Sequence, residues 1–358
     1  MPHYTWPTDK IPSSPDLESK PVLRALIRAR ATLAELKGVA RTIPDQSILI
    51  NTLGIQEAKD SSAIENIITS LDELFKGELN LKQLPSSEAK EVQNYVEALK
   101  MGCRLISSKK LLTNNDIIAI QEVLERNHAG FRTTPSTSLL NARTNEVVYT
   151  PPQSFDEISS LMAELEKLIN DDNFRTYDPL VKMAIIHYQF ETIHPFYDGN
   201  GRTGRIINIL YLIISGLLDF PTLYLSSFII RNKADYYRLL QEVRTNSNWE
   251  EWLLYMIDGI YITARDTIQL IESLQVQMMD MKQKLREGYK FYSHELLMNL
   301  FRHPYTKIEF VENELGVSRK TASNYLNTLA KDGILRKEKL GGGTYFVNED
   351  LYHLFLMR

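Results

Sequence analysis

The 358-residue chain has one cysteine, Cys103, which by itself excludes an internal disulfide and suits a reducing compartment. Long apolar runs are also missing. The longest, Ile206 to Leu218, is interrupted by Asn208, Tyr211, Ser215 and Gly216. It is too short and broken to cross a bilayer and reads as a buried helix. The opening residues, Met1 to Pro7, show no basic stretch followed by an apolar one. No secretory signal is therefore expected, and a cytoplasmic location without membrane attachment is. Basic charge is not in excess either: 41 Lys and Arg stand against 45 Asp and Glu, for a formal net charge of −4. That balance gives no global reason to expect nucleic acid, although a local basic patch remains open. Internal repeats and low-complexity tracts are absent from the sequence.

What the chain does have is length for two or three cores and an ordinary globular composition, 43% hydrophobic and 24% charged. The first 20 or so residues hold four prolines and read as an extended arm. Helical spacing of apolar residues then appears over Leu23–Leu36, around Ala58–Phe75 and over Ser87–Ile106. Thr113 to Asp116 supplies capping residues ahead of an amphipathic start at Ile117. After Gly130 the pattern changes: Thr133–Leu140 and the β-prone Val147–Tyr149, closed by Pro151 and Pro152, predict a short hairpin or flap. Helices are expected again over Phe155–Ile169, Pro179–Thr192, Ile206–Leu218 and Phe228–Leu240. A last long one, from Trp249 to about Gln283, is expected to be broken or exposed towards its methionine-containing end. The tail changes character again: helix to Gly316, helix Arg319–Lys331, then Ile334–Lys337 and a glycine-tipped strand connection over Leu340–Val347. That is the order of a winged helix-turn-helix.

The richest chemistry lies between Pro179–Thr192 and Ile206–Leu218, in the twelve residues His194-Pro-Phe-Tyr-Asp-Gly-Asn-Gly-Arg-Thr-Gly-Arg205. An imidazole, a carboxylate, an amide, two guanidinium groups and three glycines in so short a space fit a polyphosphate with a divalent metal. His194 can serve as a base and Asp198 can hold the cation. The backbone of Gly199, Asn200 and Gly201 can form an anion nest ahead of a helix.

The run His-Pro-Phe-x-Asp-Gly-Asn-Gly-Arg-x-x-Arg resembles the signature of the Fic domain family, matched over residues 194–205 without departure. The resemblance covers at least residues 115–255. It implies a mainly helical fold with a small β flap, and an enzyme that moves AMP from ATP to a Ser, Thr or Tyr hydroxyl of a protein, releasing pyrophosphate. His194 then becomes the base for the acceptor hydroxyl and Asp198 the ligand of Mg²⁺. Asn200 and the amides near Gly199 and Gly201 meet the α-phosphate, and Arg202 and Arg205, three apart on a helix, hold the β- and γ-phosphates. Gly130-Phe131-Arg132 and the segment ending Val148-Tyr149-Thr150 occupy the places of the family's flap. By that resemblance Thr133, Val148, Tyr149 and Thr150 dock the target by β-augmentation. Self-modification and a homodimer are implied by the same likeness.

Ser61-Ser62-Ala63-Ile64-Glu65-Asn66 resembles the family's inhibitory motif, a Ser or Thr followed four residues later by Glu and then Gly or Asn. Ser61 and Glu65 share one helix face. The family implication is that Glu65 pairs with Arg205 and denies it to ATP. Some relatives use the corresponding glutamate to remove AMP, and other family members transfer UMP, phosphocholine or phosphate, so both points stay open. The expected organisation is an N-terminal helical region over 1–114 carrying this motif, a catalytic core over 115–255, a helical linker over 256–288 and the winged helix over 289–358. In the last, Arg319, Lys320, Lys331, Arg336, Lys337 and Lys339 stand against Asp332 and Glu338 between Ser318 and Leu340. Contact with DNA and a purely protein role are both open there. The alternative function is accordingly a DNA-binding transcriptional regulator whose Fic domain senses nucleotide or is vestigial.

Overall fold

The computed structural model describes residues 17–77, 86–135, 137–140, 146–171, 176–340 and 343–356. Most of the proline-rich arm, the flap residues 141–145 and the wing glycines Gly341 and Gly342 lie outside the described residues. The fold is mainly helical. The N-terminal region holds α1 (Lys20–Ala40), α2 (Gln46–Ile64), α3 (Leu71–Gly77) and α4 (Ser87–Lys109). The middle holds α5 (Asn114–Glu125), β1 (Leu139–Leu140), β2 (Val147–Tyr149), α6 (Phe155–Asn170), α7 (Pro179–Ile193) and α8 (Asn200–Ile214). Next come α9 (Ser226–Arg231), α10 (Lys233–Asn246) and α11 (Trp249–Gly288). The last elements are α12 (His294–Arg302), β3 (Tyr305–Lys307), α13 (Ile308–Leu315), α14 (Arg319–Lys331), β4 (Arg336–Leu340), β5 (Gly343–Val347) and α15 (Glu349–Leu356). No helix among the described residues is long and apolar enough to cross a membrane.

Helix α7 is the centre of the molecule. Every residue from Leu180 to Ile193 is buried, so it needs neighbours on all sides and has no polar face. It begins with the Asp178 side chain accepting from the Leu180 N–H and with Pro179 in the first turn, both ordinary start signals. Helix α8 packs against it, and Trp252 of α11, fully buried, donates its indole N–H to the Ala184 carbonyl at 3.0 Å. The ends of α7 and α8 that meet at residues 194–199 are thereby fixed by core packing rather than by the loop itself.

Three readings of the helices are corrected. The Ala58–Phe75 stretch is not one helix: α2 ends at Ile64, Asn66 takes a left-handed conformation (φ 65°) and α3 starts afresh at Leu71. Asparagine tolerates that backbone region better than most residues, which is why the break falls there. Phe228–Leu240 is split at Asn232, whose N–H and side-chain amide both bond the Phe228 carbonyl. The long helix α11 runs unbroken for 40 residues, through position 255 and beyond Gln283. Its polar end is held because Met278, Met281 and Leu285 are buried while Met279 faces out.

Strand order in the C-terminal sheet is β3-β5-β4, antiparallel, with Tyr305 and Arg336 both opposite Val347. Helices α13 and α14 precede the β4–β5 hairpin in the helix-turn-helix order read from the sequence. Much of the basic charge is internally paired: Arg336 with Glu338 and Glu349, and Lys337 with the Asn327 side chain. The module rests on α2 and α3. Arg302 bonds the α2 cap Asp45, the Tyr305 and Tyr352 hydroxyls donate to Asp72 at 2.6 and 2.9 Å, and Gln56 donates to the Phe355 carbonyl at 3.3 Å. The lone cysteine, Cys103, is half-buried, and burial pushes its thiol up to about 12, which disfavours the thiolate at neutral pH.

Candidate active site

His194 caps α7 in a left-handed conformation (φ 50°), its N–H bonded to the Phe190 carbonyl at 2.9 Å. Its carbonyl accepts from the Arg132 Nε at 2.8 Å, and Arg132, fully buried, also donates to the Pro152 carbonyl. The imidazole is half-buried. Burial, helped by the Arg132 and Arg244 cations, pushes it down to about 4 against the opposing charge of Glu65. It is therefore neutral, and able to accept a proton, throughout the physiological range. A folded value below the ordinary 6.5 or so means the neutral form is kept on acidification and lost only near pH 4. The acid limb of kcat/KM is expected to lie below pH 6, read from initial rates between pH 4.5 and 8 in overlapping buffers.

The loop after His194 is braced from within. Asn200 accepts from the Phe196 N–H at 2.9 Å and donates to the Phe196 carbonyl at 2.8 Å. Its side chain thus holds the turn, and what it presents to an anion is its backbone N–H. Gly199 sits at φ 76° ahead of α8, and no side chain caps that helix. The first-turn N–H groups of α8 are consequently available to an anion, with the helix dipole behind them. Asp198 is exposed, with Oδ1 accepting from the Gly199 N–H at 2.7 Å. No cluster of three or more His, Cys, Asp or Glu side chains suited to a metal occurs among the described residues. A single open carboxylate fits Mg²⁺ held largely by substrate phosphates and water, and does not fit an all-protein metal cage.

Arg205 is 2% exposed and turned to α2. It donates through Nε to Ser61 Oγ at 2.7 Å, and through Nη2 to the Ser61 carbonyl at 2.9 Å and Glu65 Oε1 at 2.8 Å. Burial works against the Glu65 carboxylate, but the Arg205 charge outweighs it and holds Glu65 below its usual range. The same oxygen lies where a Cβ on Gly201 would be, 2.4 Å from that point. Glu65 therefore occupies the mouth of α8, in the space an anion bound at the first turn would take. Arg202 does not face the same partner. Its side chain, 4% exposed, is paired with Glu125 at 2.8 Å and Glu91 at 3.2 Å.

The flap is tied to the loop at its first end. The Arg132 N–H donates to the Pro195 carbonyl at 2.9 Å, and the Thr133 N–H donates to the Tyr197 hydroxyl at 2.9 Å. Leu139 pairs with Tyr149 and Leu140 with Val147. Thr133, Val147 and Val148 are exposed and Thr150 is half-buried. Tyr149 is directed inward instead: its hydroxyl donates to the Thr192 carbonyl at 3.0 Å and the Arg244 guanidinium stacks over its ring at 4.2 Å. Its side chain anchors the flap instead of facing a target.

Sequence reasoning did not single out Arg132 as a pin of the His194 carbonyl, nor Arg244, Glu125, Glu57 or Glu191. Glu57 and Glu191 are buried near Arg205, and burial raises each to about 7. Only the position of Arg132, next to Gly130-Phe131 in the flap segment, offered a signal; the others look like ordinary helix-face residues.

Three family profiles match the chain in turn. That of the Fic/DOC family N-terminal region matches residues 23–104, that of the Fic/DOC family residues 111–212, and that of the protein adenylyltransferase SoFic-like C-terminal domain residues 276–351. The chain belongs to the Fic/DOC family. Protein adenylyltransferase fic-1 of Caenorhabditis elegans is 28% identical over 159 residues, 44% of this chain and 30% of the worm protein. The match thus spans under a third of that relative's length. The probable protein adenylyltransferase aq_aa38 of Aquifex aeolicus is 25% identical over 299 residues, 80% of this chain and 82% of that protein. Among solved structures, a Fic family protein from Desulfovibrio desulfuricans G20 superposes with a TM-score of 0.60 at 22% identity, over 96% of this chain and 98% of that one. That likeness concerns the fold.

Proposed function

We propose that the protein is an ATP-dependent protein adenylyltransferase held in check by Glu65. The observation that carries this reading is a neutral, half-buried His194 on one loop with an uncapped helix N-terminus and two buried arginines. In this account His194 takes the proton of an acceptor hydroxyl, whose oxygen attacks the α-phosphorus of ATP. The bond to the bridging oxygen breaks and pyrophosphate leaves. Charge growing on the α-phosphate meets the N–H groups of Asn200 and Gly201, while the Gly199 N–H is held by Asp198. Arg202 and Arg205 draw off the charge of the leaving group. Asp198 would hold Mg²⁺, which supplies further neutralisation of the phosphates. The target strand pairs along the exposed flap near Thr133, Val148 and Thr150, presenting its hydroxyl to His194. Division of the chain into an inhibitory region over 1–114, a catalytic core over 115–255, a linker over 256–288 and a C-terminal module over 289–358 belongs to the same proposal.

The reaction type is tested by supplying ATP labelled either at the α- or the γ-phosphate, with Mg²⁺, to the Glu65→Gly protein and a cell lysate. Label entering protein from the α position alone is expected. Label from the γ position would make the protein a kinase instead, and none from either would refute phosphate-group transfer from ATP.

A further inference from the structure

Arg202 is paired as closely as Arg205, but by a different carboxylate. We infer that Glu125 is a positioning residue for nucleotide binding: it holds the Arg202 guanidinium against the catalytic loop so that the fork is in place when phosphate arrives. The inference rests on the reading of Arg202 as a phosphate-binding residue.

Glu125 is the last residue of α5, and its side chain is 12% exposed, with Oε1 2.8 Å from Arg202 Nη2 in an ion pair that lacks hydrogen-bond geometry. Its carboxylate lies against Gly199, so closely that a Cβ there would come within 2.3 Å of Oε1. One turn earlier on the same helix, Gln121 donates to the Asp198 carbonyl at 3.2 Å. The last turn of α5 therefore grips the loop at two points, one on the backbone and one on the arginine. Glu91 reaches Arg202 from α4 but is 42% exposed, and is the weaker hold. The third nitrogen of the guanidinium, Arg202 Nε, is buried with no hydrogen-bond partner among the described residues. An oriented guanidinium with one buried donor unclaimed is ready for an anion. Glu65 differs from Glu125 in both respects that matter: it springs from α2, outside the catalytic core, and is 35% exposed. Glu65 blocks, and Glu125 braces.

The two roles predict opposite signs, so the test uses nucleotide binding, which requires no turnover. In the Glu65→Gly, His194→Asn protein, the Kd of ATP and of adenosine is measured by calorimetry with and without Glu125→Gln. The Gln change is expected to weaken ATP about tenfold, the scale of one charge-assisted hydrogen bond, and to leave adenosine unchanged. Glu125→Asp, which keeps the charge, is expected to fall between the parent and Gln. Unchanged or tighter ATP binding would overturn the inference, tighter binding by making Glu125 a second block. Equal weakening of ATP and adenosine would also overturn it, since that marks a general loss of structure. No ATP binding by the parent itself would remove the phosphate reading of the loop and the inference with it.

Discussion

Glu65→Gly is expected to raise AMP transfer at least about tenfold over the natural sequence, because it frees a buried arginine and removes a carboxylate from the phosphate position. Both effects are visible in one contact. Glu65 Oε1 is 2.8 Å from Arg205 Nη2 and stands over Gly201 at the start of α8. The substitution puts no strain on the backbone, since Glu65 ends α2 at φ −89°, and it leaves the buried Arg205 with its two bonds to Ser61. Acid does not do the work of the mutation. Arg205 holds Glu65 below its ordinary value, so the contact is complete above that value and is lost only as pH falls through the depressed one. Rates of the natural protein at pH 6 and pH 8 are thus expected to be equally restrained. The comparison is made at fixed ATP and Mg²⁺ by initial incorporation of label.

Loss of His194 is expected to act in the other direction and more strongly. Removing a positioned general base lowers a rate by about 100- to 10,000-fold, and no other imidazole is on this loop. The backbone at this position qualifies the choice of variant. At φ 50° any side chain with a β-carbon carries a left-handed penalty of about 1–2 kcal/mol, which His194 already bears and alanine does not relieve. His194→Asn keeps the conformation with less strain. Inactivity of both, with ATP binding retained in the Asn form, identifies the defect as one of proton transfer. An active Asn form would remove His194 from the mechanism.

The loop and the Ser61–Glu65 motif are legible because both depend on fixed local spacing. An imidazole, a carboxylate, an amide, two guanidinium groups and three glycines in residues 194–205, and a Ser and Glu four apart at 61 and 65, are visible without tertiary structure. The pairing of Glu65 with Arg205, 140 positions apart, was reached only through the family likeness and is present in the fold. What stayed hidden was set by packing. Tyr149 reads as an exposed strand residue until α10 brings Arg244 over its ring. Glu125 ends a helix that looks solvated until Gly199 closes on it. The break after Ile64 was missed because apolar spacing continues across it, while the turn depends on the backbone of Asn66. In α11 polar composition left a break or exposure open: burial of Met278, Met281 and Leu285 keeps the helix whole, while its other face, with Val276 and Met279, is exposed. The docking of α12, β3 and α15 on α2 and α3 rests on Asp45, Gln56 and Asp72, none of which carries a local signal.

In the proposed mechanism Arg205 is contested between Glu65 and ATP. This contest is tested most directly by incubating the natural protein, Glu65→Gly and the Glu65→Gly, His194→Asn double variant with ATP and Mg²⁺, each with and without cell lysate, and measuring the intact mass of the chain and label on the lysate proteins. The expected result is AMP added by Glu65→Gly, little by the natural protein and none by the double variant. Equal addition by the natural protein and Glu65→Gly would contradict it.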